Sequence, residues 1–280
     1  MRAVILTNRQ GNQLGLINKL APHVDIAAVV FSRNVPRRPP PLTARARVFV
    51  NRAAGRFVGR QFRDVWKQML ARYSETFPNV PVDRQVEVEN VNDDAVVSLI
   101  DDLSPDLVLV SGTNIVGRRV IETAKRHGRL VNLHTGISPY VKGGPNCTNW
   151  CLAKGWYHLI GNTVMWLDTG IDTGNIIATE RTPLDGREDL FELHWKVMEH
   201  GHDLYVRAVK RLAAGHTLAD VPQKKVAEGK LFLTADWGPM SMRLALVNFE
   251  TGYRRFFSES SPRVPADIDL FPLPDDQIQN

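Results

Sequence analysis

A chain of 280 residues, 43% hydrophobic and 23% charged, has an ordinary globular composition and is long enough for one large α/β domain plus a small appendage. No stretch approaches the roughly eighteen apolar residues of a membrane span, and Met1–Leu6 reads as the start of a strand rather than a signal peptide. Two cysteines, Cys147 and Cys151, fit a reducing compartment, so a cytoplasmic location is expected, and the formal net charge of +5 is modest but unevenly spread.

Ala3–Thr7 is an apolar run of strand type, with a helix over Gln10–Leu20 behind it and a second strand at Asp25–Ser32. The intervening turn, Asn8–Asn12, carries neither a GxGxxG nor a Walker pattern; it reads as a plain βα turn or as an anion site built from backbone N–H groups. Between Arg33 and Arg72 stand eleven Lys or Arg against one acid, Asp64. Pro36 and Pro39–Pro41 predict a stiff loop at its start, and Phe57, Gln61, Val65 and Met69 predict an amphipathic helix over Phe57–Met69. Such a basic insertion (33–80) either draws phosphates or an acidic partner or is simply a solvated surface held by its aromatics. It lacks an aromatic–basic RNA-binding module, so no specific nucleic-acid readout is expected.

Further along, Val86–Val88 is predicted as a strand, Asp93–Leu103 as a helix, Leu107–Val110 as a strand and Val120–Arg126 as a helix ending at Gly128. The alternation predicts an α/β fold with a Rossmann-like, mostly parallel twisted sheet and flanking helices. Leu190–Leu212 repeats its apolar residues at 3.6 spacing and stops before Gly215; His194, His200 and His202 on it read as surface or core-edge residues rather than ligands. Beyond Gly215, a short strand at Lys230–Thr234 and a helix at Pro239–Phe257 precede a proline-rich, loosely docked tail, Ser258–Asn280. The chain thus divides into residues 1–215 and a small extension, 216–280.

The chemistry-bearing stretch lies between these flanks. Leu130–Leu133 is a strand-type run that opens into a Gly/Pro-rich loop, and Asn132 and His134, two apart, project to the same face. Thirty-eight residues past His134, beyond a second run at Thr163–Leu167, the loop Asp168-Thr169-Gly170-Ile171-Asp172-Thr173-Gly174 supplies a carboxylate, Asp172. An amide, an imidazole and a carboxylate converging at the ends of two strands offer an oxyanion donor, a group titrating near neutrality and a charge to orient it. Cys147 and Cys151, at i and i+4, share a helix face; a metal site would need further ligands, so buried small hydrophobes are expected and no metal is called.

Asn132-Leu133-His134, Ser138-Pro139-Tyr140, Gly143-Gly144 and Leu167–Gly174, in this order and spacing, resemble the catalytic domain of the 10-formyltetrahydrofolate-dependent formyltransferases. The resemblance covers about residues 1–215 and is densest over 105–178, with departures at Gly136-Ile137 and Met165. It implies 10-formyltetrahydrofolate as formyl donor and a primary amine as acceptor, with Asn132, His134 and Asp172 as catalytic residues. It further implies that Gly112, Thr113, Asn114, Ile115 and Val116, with Asp168, Thr169 and Gly170, hold the folate. For the acceptor, Tyr140, Asn146 and Trp150 offer stacking and hydrogen-bonding groups just after the His134 loop. Relatives acting on Met-tRNA append a nucleotide-binding barrel, which 216–280 is too short and too helical to match, and those acting on glycinamide ribonucleotide carry a glycine-rich turn absent from Arg9–Asn12. The expected acceptor is therefore a small molecule, phosphorylated or nucleotide-linked, in particular a nucleotide-linked amino sugar. Formyl transfer to another small amine such as glycinamide ribonucleotide, a formyltetrahydrofolate hydrolase and a folate- or partner-binding relic stand as alternatives, and a homodimer is allowed.

Overall fold

The computed structural model describes residues 1–36, 42–258, 265 and 268–274. Prolines 39–41 and most of the terminal tail lie outside the described residues. A seven-stranded sheet in the order β3-β2-β1-β4-β5-β7-β8 forms the centre, from β1 (Arg2–Thr7), β2 (Asp25–Ser32), β3 (Gln85–Val88), β4 (Leu107–Val110), β5 (Arg129–His134), β7 (Gly161–Trp166) and β8 (Ile176–Arg181). Its first five strands run parallel, β7 runs against them and β8 pairs antiparallel with β7, so the fold is the expected Rossmann-like α/β arrangement. A small second sheet pairs β6 (Val141–Gly143) with β9 (Lys230–Phe232) in parallel.

Both faces of the sheet are covered, which is why its strands read as apolar runs. Ile5, Phe31, Leu109, Val131 and Leu133 point to one core with α1 (Gly11–Leu20) and α7 (Leu190–Ala213). The alternate residues Leu6, Val30, Val108, Val110 and Leu130 point to another with α4 (Asp94–Leu103) and α5 (Arg118–His127). Tyr205 on α7 crosses beneath the central strands: its hydroxyl donates to the Val131 carbonyl at 2.7 Å and accepts the Val110 amide at 3.0 Å. That tie fixes the C-terminal ends of β4 and β5, where the conserved rule for open α/β sheets places ligands.

The basic segment folds as two helices, α2 (Leu42–Val58) and α3 (Arg60–Thr76), instead of one over Phe57–Met69. Gly59 separates them. A Cβ there would lie 2.6 Å from Met242 Sδ and 2.9 Å from the Gly55 carbonyl, so its bare backbone admits α9 (Pro239–Asn248) against the helix pair. α6 (Cys147–Lys154) and α9 then enclose a third core with Trp150, Leu193, Phe232 and Tyr253. The helix expected over Pro239–Phe257 is broken in pattern, with five π-helical residues, Phe249–Tyr253, before α10 (Arg254–Ser258).

Two expectations change. The edge strand β8 was not foreseen, and its free edge explains why the described part of the tail is tied down rather than loose: the Thr179 amide donates to Phe271 O and the Phe271 amide to Thr179 Oγ1, both at 2.8 Å. His202, expected at the surface or core edge, is fully buried with its ring 5.4 Å from that of Tyr73.

Candidate active site

The structure brings Asn132, His134 and Asp172 to one end of β5. Asn132 is paired with Val110 in register, and its neighbour on the other side is antiparallel β7. Asp172 has a left-handed backbone, φ 50°, within a loop whose tightness depends on two glycines: a Cβ on Gly170 would lie 1.9 Å from Thr173 Oγ1 and one on Gly174 1.6 Å from Trp166 O. Asp168 shapes the same loop, accepting the Gly170 amide at 2.9 Å and the Thr173 hydroxyl at 2.6 Å.

The Asp172 carboxylate is held from two sides. Its Oδ2 accepts the Gly143 amide at 3.0 Å and faces His134 Nδ1 at 3.4 Å. The other imidazole nitrogen, Nε2, lies 3.1 Å from the Val141 carbonyl and 3.5 Å from Cys147 Sγ. A carbonyl can only accept, so Nε2 carries a proton and donates to it. Burial alone would lower the His134 pKa, but the Asp172 charge first, with the Cys147 and Val141 contacts, outweighs this and raises it to about 10. At neutral pH the ring is therefore a cation held between a carbonyl and a carboxylate. Burial pushes the Cys147 thiol up, so it stands beside the cation as a neutral group.

A cavity of about 730 Å³ opens above this pair. Asn132 and Asp172 line it; His134, buried at 7% exposure, supports it from below. Gly112, Thr113, Asn114, Ile115 and Val116 line one wall and Asp168 and Gly170 another, whereas Thr169 is not among the lining residues. The 112–116 loop is held by two asparagines that the sequence did not single out. Asn34 Oδ1 accepts the Asn114 amide at 2.8 Å, and Asn92 Nδ2 donates to Ile115 O at 2.9 Å. Gly112 has φ +67°, the left-handed conformation that glycine adopts without strain. Among the described residues no group of three His, Cys, Asp or Glu is placed to hold a metal ion.

The residues named for the acceptor separate. Trp150 is buried at 4% exposure, stacked on Phe232 at 4.4 Å, with its Nε1 donating to Gly144 O at 3.0 Å; it belongs to the core because α6 turns that face inward. Tyr140 accepts the Asp269 amide on its hydroxyl at 2.8 Å and lines neither this cavity nor its neighbour. Asn146 caps α6, accepting the Asn149 amide at 3.1 Å, and does line the neighbour. That second cavity, about 570 Å³, shares Pro145 and Thr234 with the first. Its walls include Phe62, Trp66 and Trp237, with Asn149 and His194 among the polar groups and Arg63 and Lys67 supplying charge. Asn149 Oδ1 is buried without a hydrogen-bond partner among the described residues, and burial lowers the His194 pKa to about 4, leaving that ring neutral.

Sequence reasoning also missed Gln223. This buried side chain donates through Nε2 to Asp172 O at 2.9 Å and to Gly174 O at 2.7 Å, so it clasps the acidic loop from a distant part of the chain.

Comparison with known proteins gives this geometry a lineage. In sequence the chain is 30% identical over 161 residues to a methionyl-tRNA formyltransferase from Syntrophus aciditrophicus, covering 56% of this chain and 49% of that protein. It is 32% identical over 122 residues to another from Finegoldia magna, covering 43% and 38%. The chain thus spans half or less of the length of these relatives. In fold it is similar to a sugar N-formyltransferase from a Shewanella species, with TM-score 0.56 and 13% identity over 89% of this chain and 87% of that one. It is similar also to glycinamide ribonucleotide transformylase 1 from Symbiobacterium toebii, with TM-score 0.52 and 15% identity over 79% and 94%. Residues 52–209, more than half of the chain and including Asn132, His134 and Asp172, match the model of the formyl transferase family. The chain belongs to the formyl transferase family.

Proposed function

We propose that the chain transfers a formyl group from 10-formyltetrahydrofolate to the primary amine of a small acceptor, a nucleotide-linked amino sugar. The observation that carries the reading is the Asn132–Asp172 pair facing one cavity, with cationic His134 locking the carboxylate from behind. The donor would supply the formyl group from its N10 position. Gly112–Val116, Asp168 and Gly170 would hold it, and the backbone-rich wall of the 112–116 loop, braced by Asn34 and Asn92, suits a flat, hydrogen-bonding ring.

The roles follow from what each side chain has left to offer. Asn132 lines the cavity and its amide makes no hydrogen bond among the described residues, so it is free to donate to a developing oxyanion. A single well-aimed donor of this kind lowers the barrier by about 3–4 kcal/mol. Asp172 uses Oδ2 for His134 and Gly143, and Oδ1 makes no hydrogen bond among the described residues; that oxygen accepts the proton of the attacking amine, directly or through water. His134, with one N–H donated to Val141 O and the other facing Asp172, keeps the base oriented and stabilises it as an anion until the amine arrives. The proton that Asp172 takes from the amine then passes to the departing folate nitrogen, directly or through water.

The second cavity supports the acceptor assignment. It meets the reaction cavity at Pro145 and Thr234, so an acceptor bound against the Phe62–Trp237 pair extends its amine toward Asp172. Arg63 and Lys67 bring positive charge to the same walls, as a phosphate linker requires. The test supplies 10-formyltetrahydrofolate with nucleotide-linked amino sugars, glycinamide ribonucleotide and Met-tRNA in parallel, scoring the mass gain of one formyl group. Efficient formylation of Met-tRNA, the acceptor named for the sequence relatives, with amino sugars inert would overturn the acceptor and leave the site chemistry standing.

A further inference from the structure

Helix α2 presents two opposed faces. Asn51, Gly55 and, just past its end, Gly59 turn inward and line the second cavity. The opposite side carries Leu42, Phe49, Val50 and Phe57, exposed at 79%, 74%, 62% and 87%. At 3.6 residues per turn these four fall within about 100° around the axis, with Ala46 and Ala53 between them, so they form one apolar stripe rather than scattered surface residues. Arg45 and Arg56, both exposed, flank it. Over residues 42–72 the sequence holds eight Lys or Arg against the single acid Asp64, itself paired with Arg60 at 3.3 Å.

We infer that α2 is an interfacial anchor that docks the enzyme on an anionic lipid surface. An apolar stripe of four aromatic or branched residues, bordered by arginines and left uncovered by the described chain, is the pattern of a helix that lies in the plane of a bilayer. The charge selects the occupant: a second copy of this chain would bring the same arginine-rich face and repel it, whereas a leaflet with negative headgroups attracts each cation within a Debye length. No helix of the described residues is long and apolar enough to cross a membrane, so the attachment is peripheral and reversible. Because the inner face of the same helix lines the second cavity, docking sets that cavity beside the lipid surface.

The experiment sediments the full chain with vesicles of phosphatidylcholine alone and of phosphatidylcholine with phosphatidylglycerol. Binding is expected to the phosphatidylglycerol vesicles, to weaken with salt, and to fall about ten-fold or more in Phe49→Ser/Phe57→Ser. The thermal midpoint of that variant should equal the parent's, since both rings are exposed. Arg187→Ala/Lys210→Ala, which removes two charges elsewhere, should bind as the parent does. Absence of binding to phosphatidylglycerol vesicles at low salt, or undiminished binding by the double Phe variant, overturns the inference. A parent that dimerises in solution and a Phe variant that is monomeric, with neither held by vesicles, assigns the face to a second copy and equally overturns it.

Discussion

His134 Nδ1 and Asp172 Oδ2 stand 3.4 Å apart across the end of β5, a buried cation against a carboxylate that still lines the reaction cavity. If the pair works as a unit, His134→Asn and Asp172→Asn each lower kcat by about 100–1,000-fold or more, and the double variant is little worse than either. Steady-state kinetics on folded variants check this; near-parent turnover by His134→Asn ends the assignment.

The same pair predicts a pH signature in stability. The folded-state pKa of His134 is raised from 6.5 to about 10, so the folded protein holds a proton that the unfolded chain releases. The stabilisation is fully present below about pH 6.5 and is lost as pH rises through about 10, at about 1.4 kcal/mol per pKa unit. Denaturant midpoints at pH 7 and pH 10 should differ more in the parent than in His134→Gln. An equal difference in both would place the titration elsewhere.

Gln223 offers a test of positioning without chemistry. Its amide donates to two carbonyls of the acidic loop, Asp172 O and Gly174 O, and Gln223→Leu leaves both without this donor. A loss of about 1–3 kcal/mol in stability is expected from the unpaired groups. Displacement of Asp172 should also lower kcat by up to about 100-fold, more than it changes the donor KM. A variant that is destabilised but has the parent kcat reduces Gln223 to a structural clasp.

Much of this arrangement was legible in the sequence where a local pattern encodes it. The runs Asp25–Ser32 and Leu107–Val110 coincide with strands, because strands covered on both faces must be apolar throughout. Asn132 and His134 could be placed side by side by the two-residue strand period alone. What escaped depends on contacts distant in sequence. β8 follows a glycine-rich loop and alternates poorly, so it became a strand only by pairing with β7. Leu42–Val58 hides its helix behind prolines and arginines, and one glycine, Gly59, divides what periodicity read as a single element. Nothing local marks Cys147 as a neighbour of His134 or Gln223 as a clasp on Asp172, since each meets its partner only after the chain has folded back.

Both cysteines should be inert in the native protein. Cys147 lies against the His134 cation, yet it and Cys151 are buried and burial pushes both thiols up, away from the reactive thiolate. A thiol reagent at pH 7 should label neither until denaturant unfolds the chain. Cys147→Ala should retain kcat within about ten-fold, because His134 keeps its donation to Val141 O. Rapid native labelling at Cys147, with matching loss of activity, would show that the imidazolium activates the thiol instead.

The acceptor is best tested where the two cavities diverge. Trp237 meets Phe62 edge to face at 5.8 Å in the second cavity and is absent from the lining of the first. Asn149 presents there an oxygen buried without a partner, which a ligand N–H would satisfy. Trp237→Ala and Asn149→Ala are therefore expected to raise the acceptor KM by about ten-fold or more while the KM for 10-formyltetrahydrofolate stays at the parent value. Asn132→Ala should do the reverse in kind, lowering kcat with smaller effects on either KM, since its amide is assigned to the transition state. A parallel rise in both KM values would mean that the cavities act as one donor site, and an unchanged acceptor KM in both variants would move the acceptor out of the second cavity altogether.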